Sequence, residues 1–551
     1  MSHPLEQVIA YHQATKHYFN AYARGPGYLD WATQPDPFRR YRKAPLIKLE
    51  QVPPGAGPLF EQALRVGQVP TAPLTHIALS QLFFDSLAIS AWKRAGDVSW
   101  ALRVNPSSGN LHPTEGYLIC GRVDGLCDTP MVCHYAPKEH ALEVRAQFPL
   151  ETWRLLTAEL APNSLLVGLT SIHWREAWKY GKRAFRYCQH DVGHAIAAVS
   201  FAAAGLGWRA TLLDDLGTEE LAKLMGVFDP RGAEAEHPDC LLAVHPQDQP
   251  CYTHRLPADV PSTFIDLAWQ GTPNQLSPDH VDWSIIAETA AATIKSRTDG
   301  VYNLQETEEE HPLLEAAQPL QASSASLRQI IRQRRSAVAM DARTGISRDA
   351  FFHILSLTLA RPNQVPFNTL NWTPRINLAL FLHRVQDLEP GLYILLRDPA
   401  AGEALASAMK DEFAWEKPEG CPVNLGLYRV LTGDARALAR QLSCQQAIAS
   451  DGCFSLGMVA DFERSLAEFG AWFYPRLFWE TGMIAQVLYL AAEAAGLRGT
   501  GIGCFFDDPV HRVLGLDTET FEYQSLYHFT IGGPVEDMRL TTLPAYSESD
   551  M

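Results

Sequence analysis

The sequence predicts an α+β protein built twice over, with two copies of one domain in tandem, packed on each other as an intrachain pseudo-dimer. Three observations predict it. Glycines recur at matched intervals of fourteen and nineteen residues, Gly193, Gly207 and Gly226 in one half and Gly482, Gly496 and Gly515 in the other. Each set brackets the same pattern: an Ala-rich helix, a short strand, an acidic pair (Asp214-Asp215; Asp507-Asp508), then a short helix closing on Met-Gly or Leu-Gly. Upstream, Gly121-Arg-Val123 with Tyr135 matches His383-Arg-Val385 with Tyr393. Gap-free agreement of this kind marks a duplication. Two copies of a dimerising domain can pair within one chain and place sites at their interface.

The bulk numbers agree. A chain of 551 residues holds two or more domains. With 46% hydrophobic and 20% charged residues it has ordinary globular composition and ample core. A formal charge of −16 argues against a nucleic-acid backbone as partner. The ten cysteines form no CxxC pair and none sits at zinc-finger spacing from histidine, which fits free thiols in a reducing compartment. No metal site is expected. The start, Met-Ser-His-Pro-Leu-Glu, lacks a basic n-region and an apolar h-region, and stretches such as Ala195–Leu206 are too short to span a bilayer. The expected location is the cytoplasm.

Taken in order, residues 1–45 are aromatic, basic and Pro/Gly-punctuated, and read as an arm lying on the body. The first domain is expected over 46–295. It opens with proline-rich loop to about residue 75, then helical apolar spacing over Leu79–Trp92. Gly116–Cys120, Val132–Tyr135, Leu165–Thr170 and Leu241–His245 read as strands. Residues 174–206 read as one helical region broken near Asp191-Val-Gly193. Residues 296–326 have linker composition, with Thr307-Glu-Glu-Glu-Glu-His311 followed by Gln321-Ala-Ser-Ser-Ala-Ser326. The second domain is expected over 327–551, opening with a helix at Leu327–Gln333 and ending in a tail at Ser547–Met551.

Alignment of the copies shows complementary losses. Pro106-Ser-Ser-Gly-Asn110 falls opposite Asn368-Thr-Leu-Asn-Trp372, which lacks the pattern. Arg334-Arg-Ser336 falls opposite Gln62-Ala-Leu64, with no basic pair, and Gly501-Ile-Gly503 opposite Leu212-Leu-Asp214. Each half keeps what the other has lost. This predicts two ancestral interface sites, one degenerate and one retained, the retained one built from both halves.

The retained pieces have their own chemistry. Pro106 removes a backbone donor and fixes φ. Ser107, Ser108 and Asn110 crowd hydrogen-bonding groups together, and Gly109 lets a flat ligand approach the backbone. Arg334, Arg335 and Ser336 offer two guanidiniums and a hydroxyl to a phosphate and its polyol tail. Gly501, Ile502 and Gly503 offer backbone N–H groups to a ring nitrogen that gains charge on reduction. The alternatives are an ordinary Pro/Ser/Gly turn, an exposed basic pair and a plain glycine turn.

The ensemble resembles the nitroreductase-like flavoproteins, and within them the SagB-type dehydrogenase branch that includes azoline-oxidising flavoenzymes. The resemblance is carried by Asn105–Pro113, Trp178-Lys-Tyr-Gly-Lys-Arg183 with His190-Asp-Val-Gly-His194, Arg334–Ser336, and Gly501–Gly503 with Ile531-Gly-Gly-Pro534. It implies a central mixed or antiparallel sheet flanked by helices in each half, and FMN at the interface between them. It implies a phosphate and ring held by Arg334, Arg335, Ser336 and the Gly501–Gly503 backbone, with Pro106, Ser107, Ser108 and Asn110 contributed by the other half. Arg539 resembles the family's C-terminal basic residue near the phosphate; an exposed arginine is the alternative. The family's Arg-x-Ser-x-Arg pattern is incomplete, because Ala337-Val338-Ala339 follows Ser336. That removes one charge-assisted contact, typically worth about 1.5–3 kcal/mol.

Lys179-Tyr180 matches the Lys-Tyr pair of azoline oxidases, and its repeat counterpart is Glu468-Phe469. A lysine or tyrosine over a flavin can take a proton as hydride leaves, given a pKa lowered by burial; a packed aromatic segment is the alternative. His112, His190 and His194 are candidate polar neighbours. The expected function is an FMN-dependent oxidoreductase exchanging hydride with a small or peptide-borne substrate, with NAD(P)H a candidate electron donor and the chain a monomer or homodimer. The alternatives are a flavin-free scaffold on the same fold and an unspecific nitro- or quinone reductase.

Overall fold

The computed structural model describes residues 3–53, 55, 57–229, 231–249, 255–298 and 325–546. The acidic run Thr307–His311 and the tail Ser547–Met551 lie outside them. After helix α1 (Pro4–Ala14) the first half forms β1 (Leu46–Lys48), α2 (His76–Phe84), the hairpin β2 (Ile89–Ala95) and β3 (Val98–Arg103), then β4 (Thr114–Cys120), β5 (Met131–Ala136), β6 (Ala141–Gln147) and β7 (Leu165–Ser171). It continues with α3 (His173–Tyr180), α4 (Ala184–Ala204), β8 (Trp208–Leu212), α5 (Thr218–Met225) and β9 (His237–Pro246). The second half forms α6 (Leu327–Gln333), α7 (Arg348–Ser356), β10 (Ile376–Leu382), β11 (Gly391–Leu395), β12 (Leu427–Thr432) and β13 (Phe454–Asp461). It closes with α8 (Phe462–Phe469), α9 (Tyr474–Ala494), β14 (Arg498–Ile502), α10 (Asp507–Leu514), β15 (Tyr523–Gly532) and β16 (Thr541–Leu543).

The two largest sheets are antiparallel, in the orders β1-β6-β5-β4-β7-β9-β8 and β12-β11-β10-β13-β15-β14. Apart from β1 the two orders are the same, so the duplication read from the glycines is a duplication of topology. The glycines keep their conformations as well. Gly226 and Gly515 close α5 and α10 in left-handed geometry at φ 70° and 83°, the usual way a helix ends. Gly207 and Gly496 are left-handed at φ 66° and 71°.

Helices α4 and α9 are the centre. Every residue of α4 is buried, as expected of a helix covered on all sides. It packs along α9, and one apolar core includes residues of both halves, among them Val192, Ile196, Phe478 and Met483. The chain ends are exchanged. In the N-terminal arm, His12 hydrogen-bonds Tyr474 and Gln524, and Lys16 pairs with Asp508 at 2.8 Å. The C-terminal strand β16 pairs with β2, and Trp92 donates to the Ala545 carbonyl.

Four local expectations change. Helix α2 stops at Phe84 and Ile89–Trp92 is strand, because the apolar run serves two elements in succession. The break in residues 174–206 falls at Gly181, φ 55°, and not at Asp191–Gly193. The proline-rich stretch 45–75 contains strand β1. The acidic pairs are not in register, since Thr218 is the residue that aligns with Asp507. Their roles are nevertheless reciprocal. Asp507 takes Arg183 and Arg186 from the first half at 3.1 and 2.8 Å. Asp214 takes Arg476 of the second, with Nε at 2.8 Å.

Candidate functional site

Seven of the residues singled out in the sequence line one cavity of about 260 Å³, at the junction of the halves: Pro106, Ser107, Asn110 and His112 from the first, Arg334, Arg335 and Ser336 from the second. The loop leaves β3, turns through Ser108–Asn110 and enters β4. Gly109 and Asn110 are both left-handed, at φ 59° and 60°. Asn110 holds the turn by donating to the Ala101 carbonyl and meeting His112 Nε2 at 2.9 Å. Ser107 Oγ accepts from the His112 amide at 2.8 Å. From the other side, a capping box at Ser326 and Gln329 starts α6, and Arg334 leaves its end.

The cavity is electropositive. Arg334 is buried, its guanidinium 4.9 Å from the Tyr489 ring centre, and its Nε and Nη1 have no hydrogen-bond partner among the described residues. Arg335 donates to the carbonyls of Arg332, Arg334 and Ser90. Burial, then the Arg334 charge, pulls the Arg335 guanidinium down to about 10. Burial does the same to Arg103, although Glu115 opposes it. Arg103, Arg498 and Lys93 also line the cavity, with Glu536 and Asp537 as its acidic members. Sequence reading missed these three cations, whose own segments carry no motif. Crowded, buried guanidiniums with unmet donors favour an anion.

The remaining candidates do not line this cavity. Ser108 donates its amide to Asp191 at 3.3 Å. Lys179 and Tyr180 stand against the loop, where a Cβ on Gly109 would lie 2.6 Å from Tyr180 Oη and 2.9 Å from Lys179 Nζ. Burial holds the Tyr180 phenol well above its ordinary range, with the Glu176 carboxyl adding to it, so this hydroxyl is a proton donor and not a base. Arg539 is corrected outright: its side chain is 87% exposed and paired with Asp537.

The glycine segment differs from expectation. Gly501 and Ile502 are part of β14, opposite Phe529 and His528, and the Gly501 amide donates to Tyr489 Oη at 2.9 Å rather than standing free. The same hydroxyl is 3.0 Å from Ser336 Oγ. A Cβ on Gly501 would meet Tyr527 Oη at 2.1 Å, and one on Gly503 the Tyr187 ring at 2.1 Å. Tyrosines thus fill the space between this strand and its surroundings. His190 and His194 join the halves, through Thr481 at 3.0 Å and Gln486 at 3.2 Å, and burial keeps both neutral.

Two buried carboxyls were given no chemical role from the sequence. Glu176 reaches Ser107 Oγ at 3.4 Å, and Asp191 sits beneath Ser108. Burial raises both, Asp191 to about 8 against the pull of Ser107 and Ser108, and Glu176 well above its ordinary range with the neighbouring Asp191 adding to the effect. Asp191 therefore holds its proton near neutral pH, and the same burial favours the protonated form of Glu176. A larger cleft of about 720 Å³, around Arg39, Arg145 and Glu234, contains none of the predicted residues.

The fit to FMN divides in two. The phosphate end fits, since buried donors of Arg334 are unmet beside Arg335 and Ser336. The ring end is narrower than the motif implies, with the Gly501 amide and Ser336 hydroxyl both engaged by Tyr489.

The Nitroreductase family profile matches residues 382–533. No curated protein matches the chain. A solved nitroreductase candidate from Anabaena variabilis aligns over 96% of this chain and 99% of its own, at a TM-score of 0.67 and 21% identity. One from Ralstonia eutropha aligns over 41% and 88%, with TM-score 0.26 and 16% identity. The E. coli microcin synthetase McbBCD complex with truncated pro-MccB17 bound aligns over 45% of this chain and 87% of its own, with TM-score 0.28 and 20% identity. The chain therefore carries the nitroreductase fold, laid down twice in tandem, with the family's sequence profile matching its second half.

Proposed function

We propose that the chain is an FMN-dependent oxidoreductase of the SagB-type kind, with one composite flavin site between its halves. The observation that carries the reading is the shared cavity. Motifs more than two hundred residues apart, each lost from the opposite copy, meet around a buried arginine with two unpaired nitrogens.

In this reading Arg334, Arg335 and Ser336 hold the phosphate, and the Pro106–Asn110 loop supports the ring edge. Bound there, FMN supplies the hydride chemistry that side chains lack. The proteinaceous part is proton management. Tyr180 donates from a neutral phenol, Lys179 is the adjacent cation, and Glu176 with Asp191 hold protons under the loop. The substrate is a small or peptide-borne hydride donor or acceptor, an azoline among the candidates, with NAD(P)H a candidate electron source.

One observation favours a second reading, a flavin-free scaffold: Tyr489 satisfies both Gly501 and Ser336 without a ligand. Flavin content after reconstitution with FMN and desalting decides between them. One FMN per chain supports the composite site, two would refute the complementary losses, and none favours the scaffold. In a flavin-loaded protein Lys179→Ala should keep the flavin and slow turnover; loss of flavin would reject its assigned role.

A further inference from the structure

Beyond the cavity, two cysteines sixty residues apart in sequence meet on the far side of Gly503. Cys504 follows that glycine, and Cys444 lies in the turn after the helix Arg436–Leu442. Their sulfurs are 2.7 Å apart. The backbones are already joined there: Phe506 N–H donates to the Leu442 carbonyl, and Gln446 Nε2 donates to the carbonyls of Ser443 and Cys504. Cys444 and Gln445 are consecutive left-handed residues, at φ 52° and 62°. That conformation is costly for side chains other than glycine, and the surrounding contacts hold it in place. Both thiols are half-buried.

The surroundings suit a thiolate. His17 of the N-terminal arm lies beside Cys504 and favours its thiolate. Its Nδ1 accepts from the Ala23 amide at 2.9 Å, so in the neutral ring the proton is on Nε2, which keeps its donor capacity. Arg183 donates to the Gly503 carbonyl at 3.2 Å and adds positive charge. The hydrogen bond with Cys444 pulls the Cys504 thiol down to about 5, against burial and with help from His17, while Cys444 is pushed up.

We propose that Cys504 and Cys444 form a thiol–disulfide exchange site, with Cys504 the attacking and Cys444 the resolving sulfur, acting on low-molecular-weight disulfides. The Cys504 thiolate attacks one sulfur of RS–SR; that bond breaks and RS⁻ leaves, taking a proton from water. Cys444 then gives up its proton and attacks Cys504 Sγ in the mixed disulfide, releasing the second thiolate. Starting from the Cys504 thiolate, the protein loses two electrons and the Cys444 proton, water supplies the other proton, and RS–SR becomes two RSH. The step is independent of the flavin reading, because it needs no group other than the two thiols and the disulfide.

The test equilibrates the full chain in buffers spanning reduced to oxidised glutathione, traps free thiols with N-ethylmaleimide and maps the peptides. The expected result is a Cys444–Cys504 link that forms and reverses with the buffer. Cys444→Ser should stop at a stable glutathione adduct on Cys504, and Cys504→Ser should leave Cys444 alkylated as free thiol. His17→Ala should move the pH midpoint of Cys504 alkylation upward, because one of the groups that favours the thiolate is gone. Cys120 and Cys127 are a second neighbouring pair. A link between those two alone, or full alkylation of Cys444 and Cys504 in the most oxidising buffer, would overturn the proposal.

Discussion

Gly193 and Gly482 face each other where α4 crosses α9, at equivalent positions of the two repeats. A Cβ on Gly482 would lie 2.9 Å from Gly193 Cα and 2.2 Å from the His190 carbonyl oxygen, and one on Gly193 would lie 2.2 Å from that of Trp479. The neighbours are backbone, with no rotamer to give way. Either Gly→Ala substitution should therefore force the helices apart and cost about 1–3 kcal/mol or more. Chemical denaturation of the single variants reads it. A loss under about 0.5 kcal/mol, the range of ordinary surface changes, would mean the crossing is looser than it looks.

Arg334 and Arg539 separate the two places where a phosphate contact was expected. Arg334 is buried with unmet donors, and Arg539 points into solvent beside Asp537. Arg334→Ala should weaken FMN binding by about 1.5–3 kcal/mol, roughly ten- to 150-fold. Arg539→Ala should leave it within about twofold, as an exposed contact worth little. Fluorescence titration with FMN measures both, and equal losses would place the phosphate elsewhere.

How much of this was legible in the sequence follows from what each feature depends on. The glycine intervals were readable because positive φ and backbone contact admit few other residues, so both repeats kept them. The Pro106–Asn110 and Arg334–Ser336 motifs were readable as chemistry, and their complementary loss pointed to one shared site. Arg498, Lys93 and Arg103 were not, because each is a single cation in an unremarked segment brought in by tertiary packing. Nor was Tyr489, whose hydroxyl takes the Gly501 amide, since an aromatic in an apolar helix reads as core. Arg539 was assigned by resemblance alone, and a resemblance in sequence says nothing of the direction of a side chain, which here pairs with Asp537 in solvent.

Asp507 holds the halves together through one carboxylate. It accepts from Arg183, Arg186 and the His17 amide, and although burial opposes ionisation, the two guanidiniums keep it far below the usual range. Asp507→Ala leaves two buried cations uncompensated and should cost about 3–5 kcal/mol. Asp507→Asn keeps the shape and removes only the charge. If both variants unfold at the wild-type denaturant midpoint, the cluster contributes nothing net.

Asp191 makes the opposite prediction for pH. Its native carboxyl is raised to about 8, above an unfolded value of about 4. Below about pH 4 it is protonated in both states and contributes no difference. Between about 4 and 8 the unfolded chain ionises while the native one keeps its proton, so the native state binds more protons and stability falls as pH rises. Above about 8 both are ionised and the penalty levels off, on the order of a few kcal/mol. Asp191→Asn, neutral throughout, should therefore gain on the wild type as pH is raised from 5 to 8, and Glu176→Gln should follow the same trend. Urea unfolding across that range gives the difference between variant and wild type. A difference that stays constant with pH would show that the pair is ionised in the native protein, and Asp191 would then be unable to hold the proton assigned to it beneath the Ser107–Gly109 loop.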